Sequence, residues 1–260
     1  MRPKPFAFLF VLPLVLLLAG CGGGGEDADM ADGDDAATET PAAPMEPAGT
    51  ASITGTISFT GTAPEPQPLR LDRECQELHD AAVNAQNVVV NDNGTLKYAF
   101  VYVKGGLGDR TFPTPTEPVV FDQTGCMYKP HVFGVQTGQP IQILNSDPLL
   151  HNIHALPEEN RPFNFGMPNQ GDERMQAFRT EEIMVRIKCD VHPWMGAWAG
   201  VLDHPYFSTT SDDGTFSIEG LPAGTYTIEV WHETLPAQTM EVTVADDEAA
   251  TADFSFGDAS

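Results

Sequence analysis

Glu182-Ile183-Met184-Val185-Arg186-Ile187-Lys188-Cys189 runs directly into Asp190-Val191-His192-Pro193-Trp194-Met195. Ile183, Val185, Ile187 and Cys189 share one parity, the alternation of a strand with one wet face and one buried face. Working outward, short β-branched and aromatic runs recur between turn residues. Residues 119–122, 132–136 and 139–144 read as strands before it. Ile53, Ile57 and Phe59 mark a first strand ending at Gly61, and 87–90 and 96–103 flank Asn93-Gly94, a strong hairpin signal. Beyond Pro205, the sets Phe216/Ile218, Tyr226/Ile228/Val230 and Met240/Val242/Val244 alternate again, with Pro222-Ala223-Gly224 turning the chain between the first two. One short helix is expected over 74–82. With 24 Gly and 22 Pro in 260 residues, the class is all-β, a sandwich or barrel.

Composition sets limits on partners. An apolar fraction of 41% with 15 Phe is enough for a core and excludes wholesale disorder, and the length suits one or two domains. Thirteen Lys+Arg against 37 Asp+Glu give a net charge of −24, which argues against nucleic acid as a partner because a polyanion would be repelled. Arg2 and Lys4 followed by an apolar stretch over 6–19 read as an export signal, too short to span a bilayer. Residues 22–50 are rich in Gly, Ala, Pro and carboxylates and hold no Lys or Arg, the composition of a disordered acidic tether.

The string Cys189-x2-His192-x2-Met195 concentrates donor chemistry. Parity aims the Cys189 thiol into the core, His192 follows in the turn, and Met195 can fold back over the same point. A second imidazole would complete a Cys-His-His-Met set, for which soft sulfur and imidazole in trigonal geometry favour copper. His151 is the expected second nitrogen. His154, three residues on, faces the opposite side of a strand and cannot easily share the ion. A zinc site on His151, Cys189 and His192 is the competing metal reading, but it gives Met195 no role.

With those residues in view, 121–203 resemble the cupredoxins, the blue copper family, and the Cys-x2-His-x2-Met spacing with His151-Asn152-x-His154 is most similar to amicyanin. The resemblance implies one type 1 copper ion held by His151, Cys189 and His192 with Met195 as weak axial ligand. It also implies that Asn152 bonds to the Cys189 loop and tunes the site. It further implies that the ring edge of His192, flanked by Pro193 and Trp194, forms the surface through which electrons pass. The stretch 215–230, with 53–59 as an opening strand, resembles the carboxypeptidase regulatory-like, transthyretin-like β-sandwich. Leu18-Ala19-Gly20-Cys21 resembles the bacterial lipobox, implying acylation of Cys21 and a lipid anchor in the bilayer. Gly22 in place of Asp implies an outer membrane, facing the periplasm, or the cell surface. Cleavage before Cys21 takes the charge from −24 to −26.

The expected organisation is therefore a signal peptide over 1–20 and a tether over 21–50. A regulatory-like sandwich follows over 51–110 plus 206–260, and a copper-type Greek-key sandwich over 111–205 is inserted in it or packed against it. Cys75 and Cys126 form an even pair in an oxidising compartment and read as a disulfide, worth roughly 4 kcal/mol in the chain-entropy model. The alternative is a second metal site using His79 and His131. His204 and His232 need only solvated or hydrogen-bonded roles. Tyr226 and Trp231 suit core or inter-domain packing better than sugar stacking. The functional expectation is a non-enzymatic carrier of single electrons whose acidic surface steers a basic redox partner such as a small cytochrome c. Copper storage or delivery, and a carbohydrate-binding or adhesion module with a structural metal, are the competing classes.

Overall fold

Strand propensity dominates the molecule. In the computed structural model, which describes residues 49–257, the chain forms β1 (Ala51–Thr60), the one-turn α1 (Arg73–Gln76), β2 (Val89–Val90), β3 (Leu96–Lys97) and β4 (Phe100–Gly105). There follow β5 (Val119–Gln123), β6 (Tyr128–Lys129), β7 (Val132–Gln136), β8 (Ile141–Asn145) and β9 (His151–Leu156). Next come β10 (Phe163–Met167), β11 (Glu173–Gln176), β12 (Glu182–Lys188) and β13 (Gly196–Leu202). The last strands are β14 (Phe207–Thr209), β15 (Thr215–Leu221), β16 (Gly224–Trp231), β17 (Gln238–Val244), β18 (Ala249–Thr251) and β19 (Phe254–Gly257). The all-β class is borne out. The signal segment, Cys21 and nearly all of the tether lie outside the described residues. No helix among the described residues is long and apolar enough to cross a membrane.

Two pairs of sheets organise the described chain. Sheets ordered β10-β9-β12-β13-β7 and β11-β8-β5-β6 enclose one apolar cluster that includes Phe121, Tyr128, Ile143, Ile153, Ile187 and Ala197. All of their strands lie between Val119 and Leu202. Sheets ordered β15-β1-β18, with β19 also on β1, and β14-β4-β16-β17 enclose a second cluster built on Ile53, Val101, Phe216, Ile228 and Phe256. A third cluster joins the two: Phe100 and Tyr102 of β4 pack with Val132, Met184 and Leu202, and Trp198 meets Trp231 at 5.2 Å between ring centroids. Gly200 makes that approach possible, since a Cβ there would stand 2.6 Å from the Phe100 ring. Buried Tyr226 and half-buried Trp231, the latter against Trp198, are thus packing residues.

Three local expectations are corrected. The alternation of β12 breaks at Met184, whose φ of 68° marks a bulge between Glu182 and Val185. Met184 is thereby buried in the joining cluster, and Ile183 is only half-buried. The strand expected over 96–103 is two, because Tyr98 at φ 64° turns the chain from pairing with β2 to pairing with β16. The helix expected over 74–82 is a single turn, since the chain must return to bond Leu69 N to Val83 O at 2.8 Å.

Candidate metal centre

β12 and β9 pair antiparallel, with Lys188 opposite His154 and Ile187 opposite Ala155, so the start of β9 and the loop after β12 meet at one end of the sheet. His151 opens β9 and Cys189 follows β12. His151 Nδ1 lies 2.9 Å from His192 Nδ1, and Cys189 Sγ lies 4.0 Å from His192 Nδ1. One ligand atom from each of the three falls within 4.8 Å of the others, and all three side chains are buried. Backbone bonds close the loop: the Cys189 N–H donates to Met195 O at 3.2 Å and the Met195 N–H to His192 O at 3.0 Å. Met195 is buried in the same apolar cluster as Cys189. His154 is not part of the set. Its Nδ1 bonds Asp190 at 2.9 Å, away from the cluster.

Support around the set fixes ring orientation. Asn145, buried at the end of β8, donates from Nδ2 to Leu149 O and Met167 O, both at 2.9 Å, and shapes the loop that delivers His151. Asp147 accepts from His151 Nε2 at 2.9 Å, and from the Gly125 and Cys126 N–H groups at 2.7 Å each. With Nε2 pointed at a carboxylate, His151 presents Nδ1 to the centre. Asn152 Oδ1 accepts the Asp190 N–H at 2.5 Å, which ties β9 to the loop directly after Cys189. Sequence reading missed Asp147; its spacing four before His151, in an Asn-Ser-Asp-Pro turn, was the available signal.

The electrostatics favour a cation. Burial works against charging His151, but its bonds to Asp147 and Cys189 outweigh that and push it up to about 9. Burial likewise raises the Cys189 thiol, yet the bonds from His151 and the His192 and Asn152 backbone hold it below its ordinary value. Burial and the neighbouring His151 both depress His192. A thiol sulfur, two imidazole nitrogens and a buried carboxylate behind one of them converge on one point. This donor set fits a metal ion, which binds deprotonated thiol and neutral imidazole and displaces the extra proton.

Expected exposure of His192 is corrected. The ring is 5% exposed, with Trp194 beside it and Asp72 and Cys75 of a strap, residues 62–86, against it. Asp72 Oδ2 of the strap lies 3.5 Å from His192 Nε2. Cys75 on α1 is disulfide-bonded to Cys126, and both sulfurs come within 4.8 Å of a His192 ring nitrogen. His79 and His131 do not join the cysteine pair as ligands: His79 Nε2 bonds Gly125 O at 2.7 Å, and His131 bonds Gly196 O and Glu233. Of the expected electron-transfer surface, Pro193 is exposed and Trp194 half-buried, its ring 5.2 Å from His192 and its Nε1 donating to Cys126 O. A cleft of about 560 Å³ runs beside Trp194, with the strap as one wall. His204 and His232 are buried, each accepting a backbone N–H, from Tyr206 and Thr234.

Residues 202–257 match the family model of the carboxypeptidase regulatory-like domain. No curated protein matches the chain. Among solved structures, the chain is similar to a copper-containing nitrite reductase from Thermus scotoductus, at 17% identity and a TM-score of 0.30. That likeness covers 39% of this chain and 26% of the reductase, so the chain spans about a quarter of that enzyme. It is also similar to a purple cupredoxin from Nitrosopumilus maritimus, at 23% identity and a TM-score of 0.27, over 32% of this chain and 98% of that one. A variant of amicyanin in its Cu(I) form is similar at 16% identity and a TM-score of 0.30, over 37% of this chain and 96% of that one. The regulatory-like resemblance stands over residues 202–257.

Proposed function

We propose that this protein is an exported, lipid-anchored carrier of single electrons built on one type 1 copper ion. The observation that carries the reading is the convergence of His151 Nδ1, His192 Nδ1 and Cys189 Sγ within 4.8 Å in a buried site closed by the Met195 loop. Soft thiolate with two imidazoles, on a loop that ends at buried Met195, suits copper better than zinc, which has no use for Met195. When bound, the ion supplies the one-electron couple. The chain's own residues hold the donors in place, with Asp147 behind His151 and Asn152 behind the Cys189 loop, and exclude water from them. With Met195 as the fourth donor no position is left for a substrate, so the reading is of a carrier and not an enzyme.

In this reading electrons leave beside the strap, through Trp194 and Pro193, because His192 is covered. A basic redox protein such as a small cytochrome c is the partner, steered by the charge of −26 that the chain carries after cleavage before Cys21. Cys21 holds the chain to a bilayer, on the periplasmic face of an outer membrane or at the cell surface. The test is the visible spectrum of the copper-loaded full chain before and after reductant. An intense thiolate-to-copper band that bleaches and returns at constant metal content is expected, and Cys189→Ser should abolish it. Loss of the ion on each cycle would point instead to storage or delivery. A full band in the Cys189→Ser variant would refute the ligand set.

A further inference from the structure

We infer that residues 62–86 are a latched cover on the metal centre, and that the Cys75–Cys126 disulfide sets how fast an ion enters or leaves. The inference rests on the metal reading above. The candidate ligands are closed to water, at 0% exposure for His151, 1% for Met195, 3% for Cys189 and 5% for His192. Donors with so little water-facing surface cannot strip a hydrated ion as they stand, so an element that covers them must lift.

The sandwich strands are held by continuous ladders, whereas the strap belongs to no sheet and bonds chiefly to itself: Leu69 N to Val83 O and Ala85 N to Gln67 O, both 2.8 Å. It meets the body through the His79–Gly125 bond, the Asp72–His192 approach, Leu71 against the inner apolar cluster, the Gln86–Tyr98 bond at its base, and the disulfide. Only the last is covalent. Elements with few backbone bonds to their surroundings open first, and a cross-link keeps the tip returning at high local concentration. The cleft beside the strap, walled by Gln67, Leu69, Ala85 and Gln86, reaches only the edges of Cys189 and Met195, so lifting the strap uncovers this side of the centre.

The consequence is an order of maturation. An ion enters while Cys75 and Cys126 are thiols. The two thiols then give two electrons and two protons to a disulfide-class oxidant, which becomes a dithiol, and the closed latch retains the ion. Both sulfurs are themselves fully buried, so the latch protects its own bond.

The test compares the full-length chain with a Cys75→Ser/Cys126→Ser variant, using cobalt(II) as probe because its thiolate bands report binding and it does not oxidise thiols. Uptake by metal-free protein, and release to a chelator, are expected to be faster in the variant by about tenfold or more. Equal rates within twofold overturn the cover. If the variant does not fold, loaded wild type is treated with a phosphine reductant. Release should then begin only as the mass rises by two hydrogens, and release that precedes reduction overturns the latch. A readout without metal separates the two readings: diethyl pyrocarbonate should modify His192 in the unlatched chain and spare it in the latched one. Modified His192 in a chain that binds neither cobalt nor copper sinks the metal reading alone. Equal protection in both chains sinks the cover alone.

Discussion

Replacing Asp147 by Asn removes one charge and almost no volume, so it isolates what the carboxylate holds. Asp147 is 4% exposed and accepts three hydrogen bonds: Oδ1 from Gly125 N, and Oδ2 from Cys126 N and His151 Nε2. An amide can keep one acceptor, but its NH2 must then face at least one buried N–H, donor against donor. The better orientation puts the amide oxygen where Oδ2 stands, which keeps the Cys126 and His151 bonds and loses the one from Gly125 N–H. At about 1.5–3 kcal/mol for a charge-assisted bond, that is the size of the expected loss. Against a typical stability of about 5–15 kcal/mol this is a large fraction. Urea unfolding of the metal-free full chain, followed by tryptophan fluorescence, measures it. The same variant should weaken the preference of His151 for presenting Nδ1, and so should bind metal more weakly by about tenfold or more. A stability loss below about 1 kcal/mol would refute the argument, since it would mean that the Gly125 N–H finds another partner at no cost.

Other outcomes follow from the same reasoning. Gly200→Val should destabilise by roughly 2–4 kcal/mol in urea, because the new side chain occupies the space of the Phe100 ring where a Cβ alone would stand at 2.6 Å. Asn152→Ala removes the acceptor of the Asp190 N–H, and iodoacetamide should then alkylate Cys189 in metal-free protein several times faster. Burial lowers both His204 and His232 to about 4, below the unfolded value near 6.5. Each therefore contributes stability that is complete above about pH 6.5 and is lost as pH falls through 4, roughly 3 kcal/mol apiece at most. Urea midpoints should drop over that window, and His204→Gln should flatten the slope if its burial is the cause.

Much of the site could be read from the chain because its donors lie in two short stretches whose positions a strand pairing relates. The parity of Val185, Ile187 and Cys189 holds, and the loop to Met195 is local enough for spacing to carry it. Met184 escaped the reading because a bulge is decided by packing, here against Phe100 of another sandwich, and leaves no mark in the alternation. Asp147 and Asp72 escaped because a carboxylate near an imidazole in space is one acidic residue among 37 in sequence. The exposure of His192 was misjudged for a similar reason. The strap that covers it belongs to a stretch more than a hundred residues earlier, and only the disulfide, readable as a pairing of cysteines, hinted that the two meet.

Consider the pairing of β1 as an event in time. It lies antiparallel to β15 and parallel to β18 and β19, partners that begin at Thr215. A chain emerging from its amino end carries this strand unpaired while more than 150 residues follow. The sheets between Val119 and Leu202, by contrast, need nothing outside their own stretch to find their neighbours. Loop-closure entropy therefore places their assembly early and the joining of first and last strands late. The strap is anchored at one end to that late-joining strand, so it can settle only after the inner sandwich exists. The molecule builds the compartment first and draws the covering over it last.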